Sequence, residues 1–446
     1  MRRFDPLAAL RPLIAAATLA VATASLAHAA DPVEIRFAFW GSAFEKKDVE
    51  KAIAAFNAAH PDIRVVGQHI PNQGYVEKIT TQLAAGDPPD VAYLDQNQAF
   101  PWAAEGKILD LKPYLGDNPE KTFLKSTVYR AGDTLIGTGL ATGVILAYYN
   151  KDLFDAAGVP YPPAKASEAW SWDQFVAYAK KLTKDRNGKT ADQEGFDPNA
   201  IDTYGVSFPT WWGGYLPFVY SNGGKFASDD GKQLLLDQPE AVEALQKLQD
   251  LIYVHHVAPT PTQSHNLPTA DILLQSKKVA IGIDGMWKVT DFANLRFNWG
   301  VGVLPKLKEP ITVVVSVPKV IFAATKHPKE AFEFYSYISD PTKVDLFKEG
   351  LWAPHEKEYF TDPAKISAWI DGQPGVYPPE SRDAIVDYEL NHTPYQPPVY
   401  WLKNINRITD EAVTPAIDQI WNGTKSAKDA TAEAVKNATP LLQGRW

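Results

Sequence analysis

The sequence predicts an α/β protein of two domains, and three observations carry that reading. At 446 residues the chain exceeds what one hydrophobic core ordinarily holds. Through its first part, alternating apolar runs of strand type are followed by runs with helical spacing, the pattern of parallel strands joined by right-handed crossovers. A second series of the same kind starts after the apolar run Val144–Tyr149.

In order along the chain, Val33, Ile35, Phe37 and Phe39 alternate with Glu34, Arg36 and Ala38 and predict a strand ending at Trp40. Gly41 and Ser42 make the turn into a helix over 46–60, with Val49, Ile53, Ala54 and Phe56 on one face and Pro61 as its stop. Strands over 63–67 and 91–94 flank a helix over 75–85, which Gly86 ends, and a third helix over 96–104 closes at Gly106. The next stretch, Thr138 to Gly143, is small and flexible and gives way to the buried strand Val144–Tyr149, followed by a short helix over 151–157 and the Gly158–Pro163 loop. Asp173–Thr183 is an amphipathic helix, and the polar insert from Lys184 to Asn199 is expected as a solvated loop. A strand over 204–208, the aromatic stretch 211–219, a helix over 239–254 and a strand over 279–283 complete the second series. Strand-like runs at 297–304 and 313–322, a helix over 328–339 and two tail helices, 401–421 and 426–442 with a break at Gly423, finish the chain.

Composition restricts the partners. Hydrophobic residues make up 45% and aromatics 12%, ample for burial. The net charge of −9 becomes −11 once the +2 of the first 29 residues is set aside, and so acidic a surface argues against nucleic acid or an anionic membrane as partner. Those 29 residues read as an export signal: Arg2 and Arg3, an alanine-rich apolar core over 13–26, and Ala27-His28-Ala29 as the cleavage site, with cleavage near Ala29/Ala30 and a periplasmic product. The apolar core is shorter than the roughly 20 residues of a spanning helix. No cysteine is present to carry a disulfide or a lipid anchor.

Catalytic motifs are missing: there is no G-x-S-x-G, H-E-x-x-H or Walker loop. The run Gly137 to Gly143 departs from the dinucleotide fingerprint by one residue and precedes a strand, which points to a hinge. His255-His256 has too few companions for a metal site. Tryptophan at strand ends is the stronger signal. Of 13, Trp40, Trp211, Trp212, Trp287, Trp352 and Trp401 stand at or beside strand ends, where open α/β sheets collect ligands, and Tyr215 lies in the same aromatic stretch. A pyranose offers an apolar C–H face to a flat ring and a rim of hydroxyls to carboxylates and amides. Polar candidates are Ser42, Glu45, Gln73, Asp95, Gln96, Asn97 and Asp284, with Gly285 in the turn. Each has a plainer alternative: Asp95 as a helix cap, Glu45 as a charge at a helix start, Asp284 as a turn residue.

The apolar strand ending in Tyr-Asn-Lys-Asp-Leu-Phe (149–154), the Gly-Val-Pro loop (158–160) and Trp172-Asp173 opening a helix resemble the family 1 extracellular solute-binding proteins of bacterial ABC importers, of the maltose and multiple-sugar type. Ala147 stands where the family usually has a larger apolar residue. The resemblance covers nearly all the chain after residue 29, with 184–199 and 355–400 fitting least well. It implies a type II-like periplasmic binding fold: two lobes, each a mainly parallel sheet flanked by helices, with a hinge between. The lobes would be 30–140 with 300–350, and 141–299 with 351–446, and the run 297–304 with Pro305 resembles the family's second crossing between them. It also implies ligand contacts at Trp40, Asp95, Trp212 and Trp287. The expected protein is a monomer without cofactor, metal or nucleic acid that captures a carbohydrate and docks on permease subunits. A polyol, glycerol phosphate or other organic solute stays open as ligand, as does an exported carbohydrate-active enzyme.

Overall fold

The computed structural model describes residues 31–265 and 269–446, so the export signal read at 1–29 lies outside the described residues. Among the described residues ten strands form: β1 (Val33–Phe39), β2 (Ile63–His69), β3 (Val91–Tyr93), β4 (Val128–Ala131), β5 (Thr134–Asn150), β6 (Lys184–Asp185), β7 (Ile201–Ser207), β8 (Val279–Gly285), β9 (Trp299–Gly302) and β10 (Val314–Ile321). They join in one path, β2-β1-β3-β10-β5-β8-β7-β6, with β4 and β9 added on β5.

The alternation read in β1 puts Ile35, Phe37 and Phe39 in one core and Ala38 in the other, so both faces of the strand are covered. Helix Ala43–Ala59 covers one face with Val49, Ala52, Ile53 and Phe56, and Phe56 meets Phe334 edge-on at 5.2 Å. Parallel pairing holds for β1 with β2 and β3, and for β7 with β8. The other pairings are antiparallel, because they involve the strands that cross between the halves or short additions beside them.

Two strands make the crossing. The first part of β5 pairs with β4 and β10, and its last part with β8 and β9. Likewise β10 pairs with β5 along Val314–Pro318 and with β3 along Lys319–Ile321. The run at 297–304 therefore does not carry the chain back: β9 lies against Ala147–Asn150, and the return is made by β10.

The glycine-rich stretch before Val144 reads in sequence as flexible, yet it is part of the 17-residue β5. Its glycines serve close approach. A Cβ on Gly139 would lie 2.2 Å from Ser316 Oγ of β10, and one on Gly137, at φ +146°, would lie 2.4 Å from the Tyr335 hydroxyl. Gly139→Ala is accordingly expected to push β10 off β5 and cost about 1–3 kcal/mol, read as a lower melting temperature. An unchanged melting curve would show that β10 gives way freely.

The 184–199 insert is more ordered than a solvated loop. Asp185 is buried, and its carboxylate accepts the backbone N–H groups of Asn187, Lys189 and Asp197 at 2.8, 2.9 and 3.0 Å. In the tail, helix Thr414–Trp421 stops before Gly423 at φ +70°, and helix Ala427–Ala438 follows. Both pack on helix Pro239–Tyr253, where Gln249 donates to the Ile420 and Lys425 carbonyls. No helix among the described residues is long and apolar enough to cross a membrane.

Candidate functional site

On the first half, β1 delivers Trp40 to the sheet edge, half-buried and edge-on to Tyr75 at 4.8 Å and Tyr93 at 5.5 Å. The Tyr75 hydroxyl ties the ends of β1 and β3 together through the carbonyls of Ala38 and Tyr93, at 3.0 and 2.8 Å. Gly41, at φ +142°, leaves room for Glu45 to fold back, since a Cβ there would sit 2.3 Å from Glu45 Oε2. The Glu45 carboxyl hydrogen-bonds the Trp352 side chain, and burial raises its pKa to about 7. Trp352 is buried, edge-on to Tyr93 at 6.2 Å, and the buried Tyr93 hydroxyl has no hydrogen-bond partner.

Asp95 follows β3 by two residues and caps helix Gln96–Ala104 by accepting the Asn97 N–H at 2.9 Å. Burial raises its pKa. Its charge adds to burial in raising the hydroxyl of Tyr400, which accepts the Ser316 N–H and donates to the Ser316 carbonyl at 2.9 and 2.8 Å. Tyr400 is thus anchored to the crossing strand β10.

The second half contributes an arc of tryptophans. Trp211 precedes helix Trp212–Ser221 and stays 37% exposed, enough to offer a ring face to a ligand. It meets Trp212 edge-on at 4.8 Å and Trp287 at 6.2 Å, and Trp212 reaches Tyr400 at 6.4 Å. Trp287 follows β8, and its ring lies over Gly285 and near Gly143, where Cβ atoms would be 2.1 and 4.0 Å away. Asp284 accepts the Gly285 N–H at 2.7 Å, and burial raises its pKa.

The structure gathers Trp40, Glu45 and Trp352 in one cluster and Trp211, Trp212 and Trp287 in another, with Asp284 and Gly285 beside the second. Ser42 is exposed and spent as the cap of its helix, accepting the Glu45 N–H at 3.2 Å. Gln73 is exposed in a turn. Tyr215 is buried with its ring 6.3 Å from Trp421. Gln96 and Asn97 line a separate pocket of about 200 Å³ against Val399, Leu402 and Trp446. Trp401 lines a larger cavity of about 980 Å³, its Nε1 donating to the Gln396 carbonyl at 3.0 Å. Tyr93 and Glu389 escaped sequence reading, because a tyrosine inside an apolar strand and a glutamate in the short helix Tyr388–Asn391 carry no local signal. Among the described residues, no group of three or more acidic or histidine side chains could hold a metal ion.

The sequence profile of the bacterial extracellular solute-binding proteins matches residues 42–345, more than half the chain. The arabinooligosaccharide-binding protein of Halalkalibacterium halodurans is 29% identical over 232 residues, 49% of this chain and 46% of that protein. The chain thus spans less than half of that relative's length. The sn-glycerol-3-phosphate-binding periplasmic protein UgpB of Escherichia coli is 23% identical over 462 aligned positions, 96% of this chain and 97% of that one. A solved ABC substrate-binding protein, Lmo0181 from Listeria monocytogenes in complex with cycloalternan, has a TM-score of 0.75 at 24% identity, over 92% of this chain and 99% of that chain. Maltose-bound MalE3 of T. maritima has a TM-score of 0.71 at 20% identity, over 92% of this chain. The shared two-lobe α/β fold and the profile match together place the chain in a family: it belongs to the bacterial extracellular solute-binding proteins.

Proposed function

We propose that this chain captures a neutral carbohydrate between its lobes and delivers it to the permease of an ABC importer, without catalysis. The observation that carries the reading is the tryptophan arc of Trp211, Trp212 and Trp287, seated against the crossing strand β5 at Gly143. Flat rings suit the C–H faces of sugar rings. Trp40, Glu45 and Asp95 on the first lobe supply a further ring and the polar groups that hydroxyls need. The lobes are those read from the sequence, 30–140 with 300–350 and 141–299 with 351–446, except that 300–313 stays with the second lobe, because β9 lies against Ala147–Asn150 and β10 makes the second crossing, with β5 and β10 as the hinge. A ligand touching both lobes favours the closed state over the open one, and that difference shifts the population. The monomer, exported through its first 29 residues, presents the closed form to the permease.

Relatives named for arabinooligosaccharide and cycloalternan support a saccharide, while UgpB keeps glycerol phosphate as the second reading. A phosphate calls for a free cation. Lys288, next to Trp287, is already held by Asp271 at 3.1 Å and Asp291 at 2.7 Å. A melting-temperature screen of arabino-, galacto- and malto-oligosaccharides beside glycerol 3-phosphate tests this. A neutral oligosaccharide should raise the melting temperature and bind stoichiometrically without turnover. A shift with glycerol 3-phosphate alone, or release of shorter sugars, would overturn the reading.

A further inference from the structure

The cavity of about 980 Å³ lies in the size range of small-molecule sites. Its wall comes from β4 and the segment before it, from the end of helix Trp212–Ser221 and the loop after it, and from the C-terminal region: Leu124 and Arg130, Tyr220 and Lys225, Tyr395 and Trp401. None of Trp40, Glu45, Asp95, Trp211, Trp287 or Trp352 lines it. Strand geometry explains the separation, since successive side chains of a strand point to opposite faces. On β5, Gly143 faces Met286 and Trp287, whereas Thr142 faces Glu389 in the cavity wall. The cavity is therefore on the far side of β5 from the tryptophan arc.

Glu389 is 1% exposed. Thr142 Oγ1 donates to its Oε1 at 2.5 Å, and Oε2 has no partner. Burial lifts its pKa to about 8, so at neutral pH the carboxyl keeps its proton, and Oε2 is the oxygen free to carry it. A buried donor without an acceptor is costly, and a ligand oxygen would relieve it. Most charges around it are spent within the protein: Arg130 pairs with Glu120 at 3.2 Å, Lys225 with Asp229 at 3.0 Å, Lys357 donates to the Glu120 carbonyl, and the Arg445 guanidinium lies 4.5 Å over Trp401, which leaves the exposed Lys125. Half-buried Tyr395 and Trp401 add aromatic surface.

We propose that this cavity is a second saccharide site, on the opposite face of β5 from the tryptophan arc, with Glu389 donating to a ligand oxygen. Its ligand is a neutral sugar of one to three rings, held by aromatic surface and a neutral acid where a phosphate would find few free cations.

Isothermal titration of the full chain tests it, using whichever of maltotriose, arabinotriose and galactotriose raises the melting temperature most. Two binding events per chain are expected. Glu389→Leu and Tyr395→Ala should each weaken one event by about tenfold or more and spare the other, and Trp287→Ala should do the reverse. Glu389→Gln should keep both, because its amide N–H replaces the donor. Tyr395, at the rim, keeps the test open should Glu389→Leu fail to fold. A single event weakened only by Trp287→Ala would overturn the cavity site and leave the cleft standing. An event weakened only by the cavity substitutions would support the cavity and overturn the cleft. One event weakened by both sets would merge the two and overturn the separation, and no event with any of the sugars would overturn both sites.

Discussion

Trp287→Ala is expected to weaken carbohydrate binding by roughly 5- to 150-fold, the equivalent of about 1–3 kcal/mol for one lost stacking face. The ring stands at the end of β8, over Gly285 and 6.2 Å from Trp211, so its removal opens the middle of the arc. Gly285→Ala should reproduce much of the loss without touching the ring's chemistry, because a Cβ 2.1 Å from the indole forces it aside. Ligand-free melting should change little for Trp287→Ala, since the residue is only half-buried. Titration and melting of the same samples separate ligand contact from packing. Normal affinity with depressed melting would sink the assignment.

The second large effect concerns stability against pH. Glu389 has its pKa raised from 4.5 to about 8 by burial, its bond from Thr142 working in the opposite direction. A carboxyl that binds its proton more tightly when folded stabilises the fold fully below pH 4.5, and this contribution is lost as pH rises from there through about 8. The loss amounts to as much as about 5 kcal/mol. Glu389→Gln has no such proton to lose. Its melting temperature should match the parent near pH 4 and exceed it by several degrees near pH 8. Glu45 and Glu356, both raised to about 7 by burial, slope the parent's curve in the same direction, so the difference between parent and variant isolates Glu389. Parallel curves across that range would mean that Glu389 ionises in the folded protein as it does in the unfolded chain.

Much of this protein was legible in its sequence wherever one short stretch carries the physics. The alternation in β1, the apolar spacing of the helices that follow, and the stops at Gly86 and Gly423 determined the α/β class and the strand ends that hold Trp40, Asp95 and Trp287. Tertiary structure decided what depends on distant partners. The glycines at 137–143 read as flexible until β10 and Tyr335 are seen to need their missing Cβ atoms. β9 reads as a return crossing until its pairing with Ala147–Asn150 is known. Gln96 and Asn97 follow Asp95 in sequence, yet helix geometry turns them toward Trp446, and Trp401 faces a cavity away from Trp211, Trp212 and Trp287. Glu389 offered no pattern, because its character arises from burial and from Thr142, which is 247 residues away along the chain. Local periodicity is written in neighbouring residues, whereas the sharing of a cleft or a cavity is settled only when distant strands and helices pack.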